Sequence, residues 1–341
     1  MSKTQGPMKN LLLATLGTSP AVVTEAVDLL KEEGVTIHGV VLFVTQDTDV
    51  QDGFTLLVEH LPQHDGITWI EPVAVGVYHD IDSSEAAVQF LELASQLLKT
   101  YRDAGYRLYV SIAGGRKAMS ALLALAVQFY GAERLFHIWV PPWLEADGEI
   151  TNLRKYHNWP EKINAYLHPP LDKEPEDRPQ LVTLPVIGLF PFLDDIRAAL
   201  RGEGDVPRDI RRLLQVNGLI TSQGKITELG RRISIILDSV EGLPPARQEP
   251  CRIHIAPHHF KDRLEALARM LCGRFPFIVE VRSGEWRGGE AKVKGEPPNL
   301  IRVFEPLGTD FSLQLMLVTT ARNAGELETA RRKIEQYMGK R

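Results

Sequence analysis

Short apolar runs alternate with stretches of helical period along the first 145 residues. KNLLLATLG (9–17) and IHGVVLFVTQ (37–46) predict buried strands, and SPAVVTEAVDLLKEEG (19–34) predicts a helix with Pro20 in its first turn. A helical GFTLLVEHLPQ, a strand in ITWIEPVAVG and a long amphipathic helix in SSEAAVQFLELASQLLKTYRDAG follow. The strand RLYVSIA, a helix after Gly115 and the strand RLFHIWVPP complete a βα series of about five strands. That alternation predicts an α/β fold with a parallel sheet covered on both faces, which takes ligands beyond the carboxyl ends of its strands.

The pattern then changes. EITNLRKYHNWP (149–160) reads as a small hairpin, and the proline- and charge-rich LHPPLDKEPEDRPQ (167–180) as a linker. VPRDIRRLLQVNGLITSQGKITELGRRISIILDSV reads as a winged-helix-like connector: one helix around Leu213, a glycine-containing turn, and a second helix through Ile235. After a break at EGLPPARQEP come a strand (CRIHIA), a helix (HHFKDRLEALARML), several strands through LQLMLVTTA and a last helix, AGELETARRKIEQYM. Three domains are expected, at 1–170, 171–245 and 246–341, the last a small α+β domain.

Composition adds an asymmetry. The net charge of the 341 residues is -5, but of 39 basic and 44 acidic residues, 16 and 11 lie from Cys251 onward. The C-terminal part is therefore basic on an acidic remainder, a pattern suited to a polyanionic partner there and equally to a solvated surface. No apolar run approaches the length of a membrane span, and no signal segment precedes the first strand, so a membrane role is not expected. Cys251 and Cys272, without CxxC spacing, predict neither a disulfide framework nor a cysteine zinc site and fit a reducing cytoplasm.

Candidate chemistry gathers at two strand ends, LGTSP (16–20) and SIAGGRK (111–117). Glycines allow close backbone approach, helix N-termini offer free N–H groups to anions, and Thr18, Ser19, Arg116 and Lys117 add donors and charge suited to phosphate. Neither loop is a GxGxxG fingerprint or a P-loop. At a third strand end, VTQDT, Gln46 or Asp47 is placed to contact a base or ribose, or simply to cap the next helix.

LLATLGTSPAVVTE together with VSIAGGRKAMS closely resembles the CARF domains of CRISPR-associated proteins, over roughly residues 9–170. The resemblance implies a Rossmann-like homodimeric sensor that binds cyclic oligoadenylate, commonly tetra-adenylate, as an allosteric activator. It implies a ligand-binding set of Gly17, Thr18, Ser19, Gln46, Asp47, Ser111, Gly114, Gly115, Arg116 and Lys117. Some such domains cut their own activator, and Ser19 and Lys117 are the ring-nuclease positions to test. A closed two-fold dimer matches the symmetry of an even-numbered ring.

In the C-terminal region, Lys292 and Lys294 alternate on one extended segment, Arg302 lies in the next strand, and Arg322 follows the last strand. They read either as convergent cations on one sheet face or as edge-strand guards and a turn cap. The element order and these four cations resemble the RelE family of ribosome-dependent messenger-RNA endonucleases. The resemblance implies catalytic roles for Lys292, Lys294, Arg302 and Arg322, with ribosome and mRNA as partners. Where many members carry a tyrosine shortly after the final arginine, this chain reads NAGELE, with Tyr337 further along. The implied chemistry is attack of a 2′-hydroxyl on the adjacent phosphate, with no metal and no cofactor; a lysine depressed by neighbouring cations acts as base and the arginines stabilise the phosphorane. Trp286 is a candidate for base stacking. His254, His258 and His259 offer a rival, but Arg252 to His259 begins in a strand and contains Pro257, against the helical Arg–His motif of HEPN ribonucleases. DNA is not an expected partner of Arg211, Arg212, Arg231 and Arg232, too few charges for that role. Two alternatives stay open: a ligand-controlled winged-helix transcription regulator, and a stand-alone ring nuclease.

Overall fold

The computed structural model describes residues 9–63, 66–75, 81–284, 292–306 and 312–339. The chain forms two units, one of residues 1–98 and 106–238, the other of 99–105 and 239–341.

The first unit begins as the apolar runs predict. Strands β1 (Asn10–Thr15), β2 (Gly39–Val44), β3 (Trp69–Ala74), β4 (Arg107–Ser111) and β5 (Arg134–Trp139) alternate with helices α1 (Ala21–Glu32), α2 (Thr48–His60), α3 (Ser84–Asp103) and α4 (Lys117–Tyr130). Strand order is β3-β2-β1-β4-β5, parallel throughout. Five residues of β1 and all six of β2 are buried, as expected of strands covered on both faces.

Beyond β5 the sequence reading needs correction. Residues 149–160 are helical rather than a hairpin: α5 (Pro142–Asp147) and α6 (Ile150–Leu153) precede α7 (Pro160–Leu167). Ile150 and Leu153, three apart, bury one side of a helical turn, and Arg154 pairs with Asp49 and Asp52 of α2. The sheet also continues past the expected boundary at residue 170. Strand β6 (Gln180–Thr183) pairs antiparallel with β5, so 171–179 connects two parts of one unit. Arg178 ties that stretch down, donating to Glu32 at 2.7 Å and to the Leu171 carbonyl at 2.8 Å.

The expected connector is three helices, α8 (Leu193–Arg201), α9 (Arg208–Val216) and α10 (Glu228–Val240), with residues up to 238 in the first unit. The turn before α10 closes on one bridge, Ile220 to Ile226, the only strand pairing described in this region, so a winged-helix sheet is not seen among the described residues. Arg231 and Arg232 both pair with Glu228.

In the second unit, β7 (Arg252–His254), α11 (Lys261–Arg274), β8 (Ile278–Ser283), β9 (Lys292–Glu296), β10 (Leu300–Pro306), β11 (Ser312–Thr319) and α12 (Ala324–Gly339) build a five-stranded sheet of order β7-β8-β11-β10-β9. Only β7 and β8 are parallel, joined by the α11 crossover. Val281, Val293, Ile301, Val303, Leu315 and Leu317 are buried on one face, where α11 packs on β7, β8 and β11, and α12 on β9 and β10. Contrary to the expectation of unpaired thiols, Cys251 and Cys272 form a disulfide, with Cα atoms 6.1 Å apart. Cys251 stands just before β7 and Cys272 in the helix packed on it, a proximity that their spacing of 21 residues does not reveal.

Candidate functional site

In the order β3-β2-β1-β4-β5 the chain runs outward in one direction from β1 and in the other from β4. The carboxyl ends of these two adjacent strands therefore flank a crevice at which α/β sheets bind ligands. The two glycine-bearing loops leave those two ends. A Cβ on Gly17 would lie 2.7 Å from the Gly115 nitrogen, and one on Gly114 would lie 2.3 Å from the Thr15 carbonyl oxygen. Gly115, with φ of +79°, adopts a left-handed conformation as well. The glycines are thus required first because the loops pack backbone to backbone. Thr15 Oγ1 donates to the Gly114 carbonyl across the same contact. Gly114→Ala is expected to force the loops apart and destabilise the unit by about 1–3 kcal/mol, read as a lower melting temperature.

Beside these loops lies a cavity of about 440 Å³, reaching from the start of α1 to the end of β5 and to α5. Of the sequence-predicted residues, Gly17, Thr18, Ser19, Gly114 and Gly115 line it. The loop is clamped from one side: Ser19 Oγ donates to the Gly148 carbonyl at 3.1 Å, and the Ile150 amide donates to the Thr18 carbonyl at 2.8 Å. Arg116 and Lys117 are exposed at the start of α4 and are not part of the lining. Arg116 pairs with Asp47 at 3.5 Å. Asp47 caps α2, accepting from the Asp49 amide at 2.9 Å, and Gln46 beside it is exposed. Ser111 is buried, its hydroxyl accepting from the Ala113 amide. Both cations therefore stand outside the lining, while the cavity itself holds Glu25, His137, Glu145 and Glu149 and, among the described residues, no lysine or arginine. Sequence reasoning missed these four. Glu25 carried a signal: it is the one charged residue in the apolar start of α1, AVVTEAV, where a surface position is not expected.

Glu25 is 2% exposed, and its Oε2 has no hydrogen-bond partner among the described residues. Burial, reinforced by the charges of Asp28 and Glu145, pushes its carboxyl up to about 8.

The second unit presents a different surface. Strand register places His254, Arg282, Met316, Arg302 and Lys294 opposite one another in a single row across all five strands. Adjacent strands are about 4.8 Å apart, so the row spans roughly 19 Å on the face away from the buried Val281, Leu317 and Ile301. Lys294 and Arg302, both expected, are directly paired here; Arg282 carries no sequence signal, and His254 joins the row rather than a helical Arg–His motif. Arg302 is held by Glu296 at 2.7 Å. Glu280 stands between Arg282 at 2.7 Å and His254 at 3.8 Å; the Arg282 hydrogen bond outweighs burial and holds its carboxyl below the usual range. Arg322 does not join the row. Its backbone and guanidinium both bind Glu326, at 2.8 and 2.5 Å, at the start of α12. The backbone of Lys292 faces Phe304, and its side chain, like the whole of Trp286, lies outside the described residues.

A family model described as CRISPR-associated protein NE0113 matches residues 19–219. No curated protein matches the chain. Among solved structures, Enterococcus italicus Csm6 bound to cyclic hexa-2′-fluoro-hexa-dAMP is 15% identical with a TM-score of 0.37, covering 69% of this chain and 55% of that one. Protein VC1899 from Vibrio cholerae is 11% identical with a TM-score of 0.28, over 92% and 78% of the two chains. UDP-GlcNAc 2-epimerase from Neisseria meningitidis bound to UDP-GlcNAc is 12% identical with a TM-score of 0.27, over 79% and 63%. The chain thus spans little more than half the length of the Csm6 chain.

Proposed function

From the premise that the chain belongs to the NE0113 family of CRISPR-associated proteins, we propose that it is a sensor-effector: a homodimer that binds cyclic oligoadenylate at its first unit and cuts RNA at its second. The observation that carries the first half is the cavity at the switch point of the parallel sheet, with glycine-lined backbone inside and Arg116 and Lys117 following the lining Gly115 at the start of α4. That arrangement suits a nucleotide whose base enters and whose phosphates stay at the cationic edge. The start of α4 adds its free N–H groups to the charge of Lys117.

The second half rests on the open cationic row of the five-stranded sheet. Lys294, together with Arg302 and Arg282, each of which stands beside a carboxylate (Glu296 and Glu280), lies along an extended track suited to a single-stranded backbone, with Met316 between the two arginines. Cleavage by 2′-hydroxyl attack needs charge stabilisation and in-line alignment, which the row supplies through Lys294 and Arg302. The ribosome, holding a message extended, is the presenting partner in the RelE-like reading.

Calorimetry with cyclic tetra-adenylate tests the sensor. The wild-type chain is expected to bind it. Arg116→Ala with Lys117→Ala should weaken binding at least tenfold and flatten its dependence on salt, because exposed charges act through screened electrostatics. No heat with any cyclic adenylate would remove the reading. Cleavage of message in a translating extract, dependent on added ring, tests the effector.

A further inference from the structure

Glu25 is an anomaly in any phosphate-binding site. It lies 98% inside the protein on the cavity wall, its Oε2 unpartnered among the described residues, in a lining that has no lysine or arginine among them. A buried polar atom without a partner is costly, and such atoms in native folds call for an explanation. Two charged neighbours, Asp28 and Glu145, work against ionisation. Asp28 lies one turn along the same helix, tied to His168 at 2.7 Å; Glu145 stands on α5; Glu149 and His137 complete the acidic and imidazole side of the wall.

A carboxyl group that keeps its proton offers one O–H donor beside one carbonyl acceptor. That is the pattern of a glutamine amide, the side chain that pairs bidentately with adenine through N6 and a ring nitrogen. Guanine presents two adjacent donors on its Watson–Crick edge, which an ionised carboxylate would match and a neutral acid would not. Resting on the ligand reading above, we propose that Glu25 reads the base of the bound nucleotide as a neutral acid, pairing with the acceptor-and-amino edge of adenine and so selecting adenine over guanine.

The raised carboxyl, about 8, keeps the group protonated through neutral pH. The separation within the site agrees: cations for phosphate outside the lining, next in sequence to Gly115, and a cavity of about 440 Å³ for the heterocycle. Glu25 forms only hydrogen bonds to the base; no bond is made or broken.

The test is calorimetry on the full chain with cyclic tetra-adenylate and cyclic tetra-guanylate, from pH 6.5 to 9.5. Wild-type affinity for the adenylate ring should hold to pH 7 and fall about tenfold per engaged Glu25 between pH 7 and pH 9. Glu25→Gln, which keeps donor and acceptor at every pH, should bind the adenylate ring equally at pH 7 and pH 9. Glu25→Leu should bind it at least tenfold more weakly at pH 7. The guanylate ring should bind wild type at least tenfold more weakly at pH 7, with the gap narrowing as pH rises. An adenylate ring bound equally by wild type and Glu25→Leu, or a pH profile shared by wild type and Glu25→Gln, overturns the role of Glu25 alone. A wild type that binds neither ring at pH 6.5 overturns the ligand reading and this one together.

Discussion

Glu25→Gln is expected to make the ligand-free chain more stable at pH 8, by on the order of 3–4 kcal/mol, and to leave it unchanged at pH 4. The sign follows from the direction of the shift. Burial raises the folded carboxyl from 4.5 to about 8, so the folded state holds a proton that the unfolded chain has released. The associated stability is complete below pH 4.5 and is lost as pH rises through about 8. A glutamine has no proton to lose, so its curve stays flat over that interval. Thermal unfolding followed by tryptophan fluorescence reads the difference, since Trp69, Trp139, Trp143 and Trp159 all lie in the first unit. The melting temperature of the variant should exceed that of wild type by roughly 5–10 °C at pH 8. Parallel curves from pH 4.5 to pH 8 would mean that Glu25 ionises freely in the folded state. Under the proposed base-reading role, a chain that carries such a destabilising group trades stability for recognition.

What the sequence disclosed depends on whether a signal is local. β1 and β2 are read from continuous apolar runs because strands covered on both faces need no polar alternation. The two glycine loops are legible because glycine has few other reasons to cluster at strand ends. The structure adds a packing role to the expected one, since Gly17 and Gly114 also meet each other's loops. β6 was hidden by the prolines before it, which suggest a linker to any local reading; only its pairing with β5 makes it a strand. The row from His254 to Lys294 joins residues 40 positions apart through four strand pairings, and no spacing rule conveys that. Glu25 was legible in principle: an acid among buried apolar positions of a helix is a site signal of the same kind as an exposed patch.

The same distinction between a residue's type and its neighbours separates Arg322 from Lys294 and Arg302. Lys294→Ala and Arg302→Ala should each lower ring-dependent message cleavage by about 10²–10³, the usual cost of removing one group that stabilises charge in a transition state. Both lie on the sheet face opposite the buried Val293 and Ile301. Arg322→Ala should act on stability instead. Burial alone would push the Glu326 carboxyl up, but the Arg322 hydrogen bonds outweigh it and hold that carboxyl below the usual range. Glu326 is 8% exposed, so loss of its partner is expected to cost about 1–3 kcal/mol at neutral pH. Because the folded carboxyl is depressed, that contribution is present above the unfolded value of 4.5 and fades as pH falls below it; the variant should therefore approach wild type in acid. Unfolding midpoints at pH 7 and pH 4, with cleavage rates measured on protein verified as folded, separate the two effects. A folded Arg322→Ala chain that no longer cuts, beside active Lys294→Ala and Arg302→Ala chains, would move the reaction away from the sheet face to the start of α12.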